Sequence, residues 1–464
     1  MKDGRKEEAI EQFTIATEFD PTSARFKLNL AAALSEGGHY DESVDAYRRA
    51  FSLGADHDFS TAWYAVSLDG VGQVDEAVDV FSKLVIKTPH IIQAIYSPLP
   101  NFIRKGRAEK MRAAWQQGLE AGTTDAGDYI GYPEFCLYLD KEKEYHEACS
   151  MLLSNFSTTA NPRLAEVIGR TILLRPATED QTRMAAALID RALHADLSAQ
   201  EAWTKPYFQF SEALLEYRQG HFQASLTILD ANVRKILGPC PYMLIAMSQS
   251  RLGNTAEAEH ALETGMMLFN WSPSNAVERD SWLYHALRHE AESTILSCLP
   301  AFAAGNYQPR NNDERFCLTG YCQDKSLNLT LAQLYKDAFA ADPEMSGSKY
   351  ADYRYRAACA AALAGCGKGK DAGTLSIAER KQWRSQALVW MKSDLGEYEH
   401  SFTDAVRTRL ILRTALTSWR SNPDLAEVRD PGNLQSLDPE EREQWSAFWK
   451  RVDSRIAFAG DGLK

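Results

Sequence analysis

Residues 30–55 read LAAALSEGGHYDESVDAYRRAFSLGA, and this stretch decides the fold. Its Gly38 belongs to a series: Gly4, Gly38, Gly72 and Gly106 stand 34 residues apart. The same step links Ala9, Ser43 and Ala77, then Phe13, Tyr47 and Phe81, while Pro21 and Pro89 lie two steps apart. A glycine, a small residue, an aromatic and a proline at constant spacing describe a repeated helix–turn–helix unit. The small residues, such as Ala31 and Ser43, let paired helices approach, and Tyr47 fills the space between neighbouring repeats.

Outward from this stretch, Glu7 to Phe19 places Ala9, Ile10, Phe13, Ala16 and Thr17 on one helical face, and the helix stops at Asp20-Pro21. It has the register of a second helix whose first helix is missing. A repeat without its partner cannot bury its apolar face, so the chain is expected to continue upstream of Met1, as a fragment or a frame begun at an internal methionine. The next full copy carries Tyr64, Ala65, Leu68, Gly72, Ala77, Phe81 and Pro89. In the fourth, Pro98 and Pro100 fall where the first helix should run, so that helix is expected short or kinked, while Met111 and Trp115 keep register in the second.

The period then drifts. Glu134–Leu139 pairs with Tyr145–Phe156, and Leu164–Leu174 with Met184–His194, before the pattern returns around Gly220 and Gly253. The polar, turn-rich stretch from Asn306 to Asp313 suggests a boundary. Beyond it come a helix through Leu331–Ala341 and an alanine-rich helix, Tyr353–Ala364, ended by Gly365 to Gly369. Ser376 and Glu379 form a capping box, and Asp438-Pro439 opens a last helix carrying Trp445, Phe448, Trp449 and Val452. The expected fold is all-α: an α-solenoid of helix pairs with a helical C-terminal module. Three regions are expected, at 1–122, 123–305 and 306–464.

The chain has 464 residues, with 45% hydrophobic residues and a net charge of −12. It can bury a large apolar surface, and its acidity argues against nucleic acid as a general partner. Eight scattered cysteines read as reduced, mostly buried thiols rather than a disulfide framework. The first ten residues are charged and polar, and the most apolar window, Ala357 to Gly367, is too short to span a bilayer. Cytoplasmic location is the default.

The 34-residue pattern resembles the tetratricopeptide (TPR) repeat. Three later stretches resemble the non-catalytic C-terminal region of planctomycete-type bacterial serine/threonine protein kinases: Leu331 to Pro343, Tyr353 to Asp371, and Trp419 with Asp424 to Pro431, Leu437, Glu440 to Arg442 and Trp445 to Trp449. Residues 272–292 are similar to it as well. In that family a kinase domain precedes a TPR array and this module. The resemblance implies a non-enzymatic interaction region that recruits partners or acts on a kinase domain in cis; a free-standing TPR adaptor is the alternative. The glycine-rich loop, the V-A-I-K lysine, the H-R-D loop and the D-F-G of a kinase have no counterpart here; Asp58-Phe59-Ser60 is the nearest fragment. No catalytic residue is carried over, and no cofactor is expected.

Other candidate chemistry reads as structure. Ala364 stands five before Gly369, and Asp371 follows Lys370, so the loop lacks the phosphate-loop pattern and reads as a helix stop. His285 and His289 have the spacing of two metal ligands on one helix face, but Ala286 stands where the zincin motif has glutamate. The tryptophans Trp383, Trp390, Trp445 and Trp449 fall at core spacing. The remaining surface is the groove lined by first helices. Its candidates are Arg25 and Leu28, then Phe59, Ala62 and Val66, then Gln93 and Tyr96. This mixed, mostly apolar lining lacks a carboxylate-clamping set of basic residues, so the expected partner is a helix or extended peptide with apolar anchors.

Overall fold

The computed structural model describes residues 2–346, 351–400 and 406–460. The described residues form helices and turns, with no strand among them. The chain divides into two compact units. The first comprises Met1–Gly253 and Ser274–Glu290, the second Asn254–Pro273 and Ala291–Lys464. The division falls inside the Arg279–Ile295 helix. The stretch 306–313 lies within the second unit, as an irregular segment that runs into the Asn312–Cys317 helix. There the buried Glu314 carboxylate accepts from the Tyr307 hydroxyl (2.8 Å), the Arg310 backbone N–H (2.6 Å) and the Arg310 guanidinium (3.0 Å).

The first unit begins with α1 (Lys2–Phe19), α2 (Ala24–Gly37), α3 (Tyr40–Ser52), α4 (Asp58–Gly70) and α5 (Val74–Lys87). Each packs on the next as adjacent helix pairs in series. In α3 the buried residues Ser43, Val44, Ala46, Tyr47 and Ala50 recur every three or four positions, which gathers them on one face. Small residues set the closeness of the pairs. The Ser43 hydroxyl donates to the Ala31 carbonyl (2.8 Å) and lies 2.9 Å from that of Ser67, which in turn reaches Ser35 (3.0 Å). Three helices thus meet through hydroxyls that satisfy one another. Tyr47 is fully buried between repeats, its ring 5.9 Å from that of Tyr64.

The turn between paired helices explains the glycine period. At Gly72 (φ 82°) the N–H donates to the Asp69 carbonyl, and the next N–H, of Gln73, donates to Leu68. This closes the helix end through a left-handed residue. The identical pair of bonds forms at Gly38, Gly106, Gly220 and Gly305. It also forms at Asp140 (φ 57°), one further step of 34 beyond Gly106, and at Ser326 (φ 55°). The period therefore continues through position 140, hidden by a residue that is not glycine. Gly4 departs from the series: it lies within the helical backbone of α1.

A side chain at a left-handed position costs about 1 kcal/mol or more relative to glycine. Nothing lies within 4 Å of a Cβ built on Gly72, so only the backbone resists there. Gly72→Ala is expected to destabilise by about 1 kcal/mol and Asp140→Gly to stabilise by a similar amount. Urea midpoints of the two variants must move in opposite directions; a shift of the same sign would refute the shared turn.

The fourth repeat has a short 3-10 turn, Pro89–Gln93, and a six-residue helix, Leu99–Arg104, in place of a full first helix. Later pairs in the first unit are Tyr132–Tyr138 with Glu142–Phe156, Pro162–Ile172 with Glu179–Leu193, and Lys205–Arg218 with Phe222–Ile228. In the second unit, Asn328–Ala341, Ala351–Gly365 and Ile377–His400 pack in succession. The Ser376/Glu379 box forms, with Ser376 N–H 2.8 Å from the Glu379 carboxylate. Pro439–Gly460 buries Trp445, Phe448, Trp449 and Val452, and the Trp449 indole donates to the Val428 carbonyl at 2.8 Å. No described helix is long and apolar enough to cross a membrane.

Candidate functional site

The first helices of the first unit meet two different surroundings. On α4, Phe59, Trp63 and Val66 share one face at i, i+4 and i+7. Phe59 is 54% exposed, and Trp63 and Val66 are half-buried. The loop after the 3-10 turn brings Tyr96 to Trp63, ring centroids 4.5 Å apart, and leaves Ile95 93% exposed. Pro98 and Pro100 open the Leu99–Arg104 helix, as its N-cap and in its first turn, so Ile95 and Tyr96 precede it on a loop. Beside Phe59 is an open hollow of about 580 Å³ whose wall includes Asp56, Asp58, Lys87 and Ala94. Lys87 pairs with Asp58 at 3.0 Å and Asp56 at 3.6 Å, so one cation at this rim is shared by two carboxylates.

Of the residues expected from the sequence, Phe59, Val66 and Tyr96 come together on this face. Arg25 is exposed and Leu28 half-buried on α2. Ala62 is only 2% exposed and belongs to the interior. It stands at i+3 from Phe59 on the same face, where its short side chain is covered. Gln93 is exposed, but its amide donates to the carbonyls of Gly127 (3.1 Å) and Ile130. It fastens the 3-10 turn to the following turn, as does Asp128, which accepts from the His90 N–H at 2.8 Å. Trp63 and Ile95 were missed: the repeat register assigns Trp63 to no groove position, and Ile95 lies off any helical period.

Further along, the corresponding helices are covered by the chain itself. Residues 274–290 run against them. Arg279 donates to the Glu134 carboxylate at 3.0 and 2.9 Å, and the Trp282 ring lies 4.4 Å from that of Phe135. The Arg218 guanidinium forks onto Glu290, and Arg175 reaches the Ala286 carbonyl at 3.1 Å. Glu134 is almost fully buried. Burial acts to raise its carboxyl, but the Arg279 guanidinium and further hydrogen bonding outweigh this and hold it below the ordinary carboxylate range. The Thr171 hydroxyl completes the site at 3.0 Å. Between the segment and the fourth repeat, a cavity of about 420 Å³ is lined by Leu99, Trp115, Val277 and Trp282 among others.

His285 and His289 do lie side by side, ring centroids 6.1 Å apart. His285 is fully buried and edge-on to Tyr138, and a guanidinium nitrogen of Arg288 sits 2.6 Å from His289 Nε2, where a cation would be repelled. In the loop after the Ala351–Gly365 helix, Asp371 caps another helix. It accepts from Leu329 N–H (3.1 Å) and Thr330 N–H (2.8 Å), while Lys368 pairs with Glu427 at 3.0 Å. All eight cysteines are free. Burial pushes the Cys136 thiol up to about 12 and those of Cys298 and Cys366 up to about 11, so these three are protonated at neutral pH.

Neither a family model nor a curated protein matches the chain.

Proposed function

We propose that this chain is a non-enzymatic protein–protein interaction region that holds a peptide on the open face of its early TPR-like repeats. The observation that supports the reading is the exposed aromatic stripe Phe59–Trp63–Val66 with Tyr96 and Ile95 beside it. Exposed apolar side chains clustered on one face mark interaction surfaces. Aromatic anchors contribute most of the energy in such interfaces. The fitting partner is a short helix or extended segment presenting apolar side chains at matching intervals. By its resemblance to the C-terminal region of planctomycete-type serine/threonine kinases, the chain would serve a kinase domain in cis; the second reading is an adaptor acting alone.

The test is a photo-crosslinker placed at Tyr96 to capture the partner, followed by binding measurements with Phe59→Ala and Trp63→Ala. Each is expected to weaken binding by about 2 kcal/mol, roughly thirtyfold. Unchanged affinity for the captured partner would exclude this face. Reading the gene upstream of the Met1 codon separates the two readings: an in-frame kinase domain favours action in cis, and a stop codon favours the adaptor.

A further inference from the structure

The second unit contains a cavity of about 490 Å³, the size of a small-molecule site. Its wall is contributed by the Asn328–Ala341 and Ala351–Gly365 helices, the turn at Ser326, and the 3-10 segment Pro423–Val428. Most of its polar groups are already engaged. Arg356 spends its guanidinium on the carbonyls of Phe269 (2.8 Å) and Met267 (2.6 Å). The Asn422 amide donates to the Tyr355 hydroxyl (2.7 Å), and its oxygen accepts the Asp424 N–H (2.9 Å).

The Asp424 carboxylate differs. It lines the cavity, part-buried, and among the described residues neither an ion pair nor a hydrogen bond reaches its oxygens. Burial alone acts on it, raising the carboxyl above its ordinary value with no cation to offset the effect. Arg356, the cation on the wall, is turned to backbone carbonyls. A second carboxylate, Asp352, is exposed at the rim. A part-buried carboxylate without a counter-charge is a site where a cation gains by joining it. Two buried acids of this unit are matched by guanidinium groups, Glu314 by Arg310 and Glu441 by Arg384 at 2.7 Å.

We propose that this cavity binds a small organic cation, an alkylammonium or guanidinium group, with Asp424 as its counter-charge. The mixed cavity takes the alkyl stem against Leu331, Ala360 and Leu363, and the head donates to Asp424. The cation can be a free amine or the side chain of a basic residue in a peptide.

Calorimetric titration of the full chain with agmatine and with a blocked Gly-Arg-Gly peptide tests this. Saturable binding of either probe is expected, and which one binds tells the free amine from the peptide side chain. N-butylurea, similar in shape but neutral, must not bind comparably. Asp424→Asn is expected to weaken binding by about tenfold or more while its melting temperature stays level or rises. Absence of binding by both cations at millimolar concentration, equal binding of butylurea, or unchanged affinity in Asp424→Asn overturns the proposal. The butylurea comparison stands even if the variant does not fold.

Discussion

Replacing Arg279 with leucine is expected to cost about 3–5 kcal/mol of stability. The guanidinium makes two bonds to one oxygen of Glu134, at 3.0 and 2.9 Å, and Glu134 is 1% exposed. Without it, the carboxylate stays in the interior with the Thr171 hydroxyl and only the longer-range field of Arg170, and its second oxygen has no hydrogen-bond partner even in the wild type. The cost is that of the stranded charge rather than of the lost pair. The double variant Glu134→Leu/Arg279→Leu should therefore recover most of it. Urea denaturation of the three proteins decides: a single-variant cost under about 1 kcal/mol would show that the pair is not what holds the segment. Limited proteolysis gives a local readout, with new cleavage expected within residues 274–290 of Arg279→Leu. Because the Glu134 carboxyl is held low, its contribution is present above the ordinary carboxylate range. It is lost as pH falls through the lowered folded value.

The second large effect belongs to Arg354. It and Asp394 are each 1% exposed; they are paired directly, and Glu397 joins at 3.0 Å. Arg354→Leu is expected to cost about 3–5 kcal/mol at pH 8, since two carboxylates then face each other without a cation. The pH dependence is distinctive. Burial pushes Asp394 up to about 7, with Arg354 acting against that rise. Its folded value lies above its unfolded one, so the folded state holds a proton that the unfolded state has lost. This group's stabilisation is full below the ordinary carboxylate range and declines as pH rises toward 7. The Arg354→Leu penalty should thus shrink between pH 8 and pH 5, where Asp394 becomes neutral. Asp394→Asn should remove that slope. Melting temperatures at the two pH values test both statements; a pH-independent penalty would mean that Asp394 is not the stranded group.

The helices were legible because local patterns write them. A 34-residue recurrence of glycine, small and aromatic residues fixes turn, crossing and packing at once, and capping residues such as Ser376 and Asp438 mark helix starts. The turn at Asp140 was not legible, because a left-handed backbone at a non-glycine residue leaves no compositional trace. The groove was legible only in part. Repeat register located Phe59 and Tyr96, but it could not tell that Ala62, on the same face, is covered or that Gln93 is fastened to turn carbonyls.

By itself, then, the sequence determined an all-helical chain, its paired repeats and a mostly apolar first-helix face. Those depend on interactions within about 35 residues, a range over which periodicity is visible. The tertiary structure decided how much of that face stays open. Residues 274–290 cover the later repeats through contacts such as Arg279–Glu134, made between residues 145 apart in the chain. A bond over that distance follows from where the stacked helices carry the backbone, and no local pattern records it.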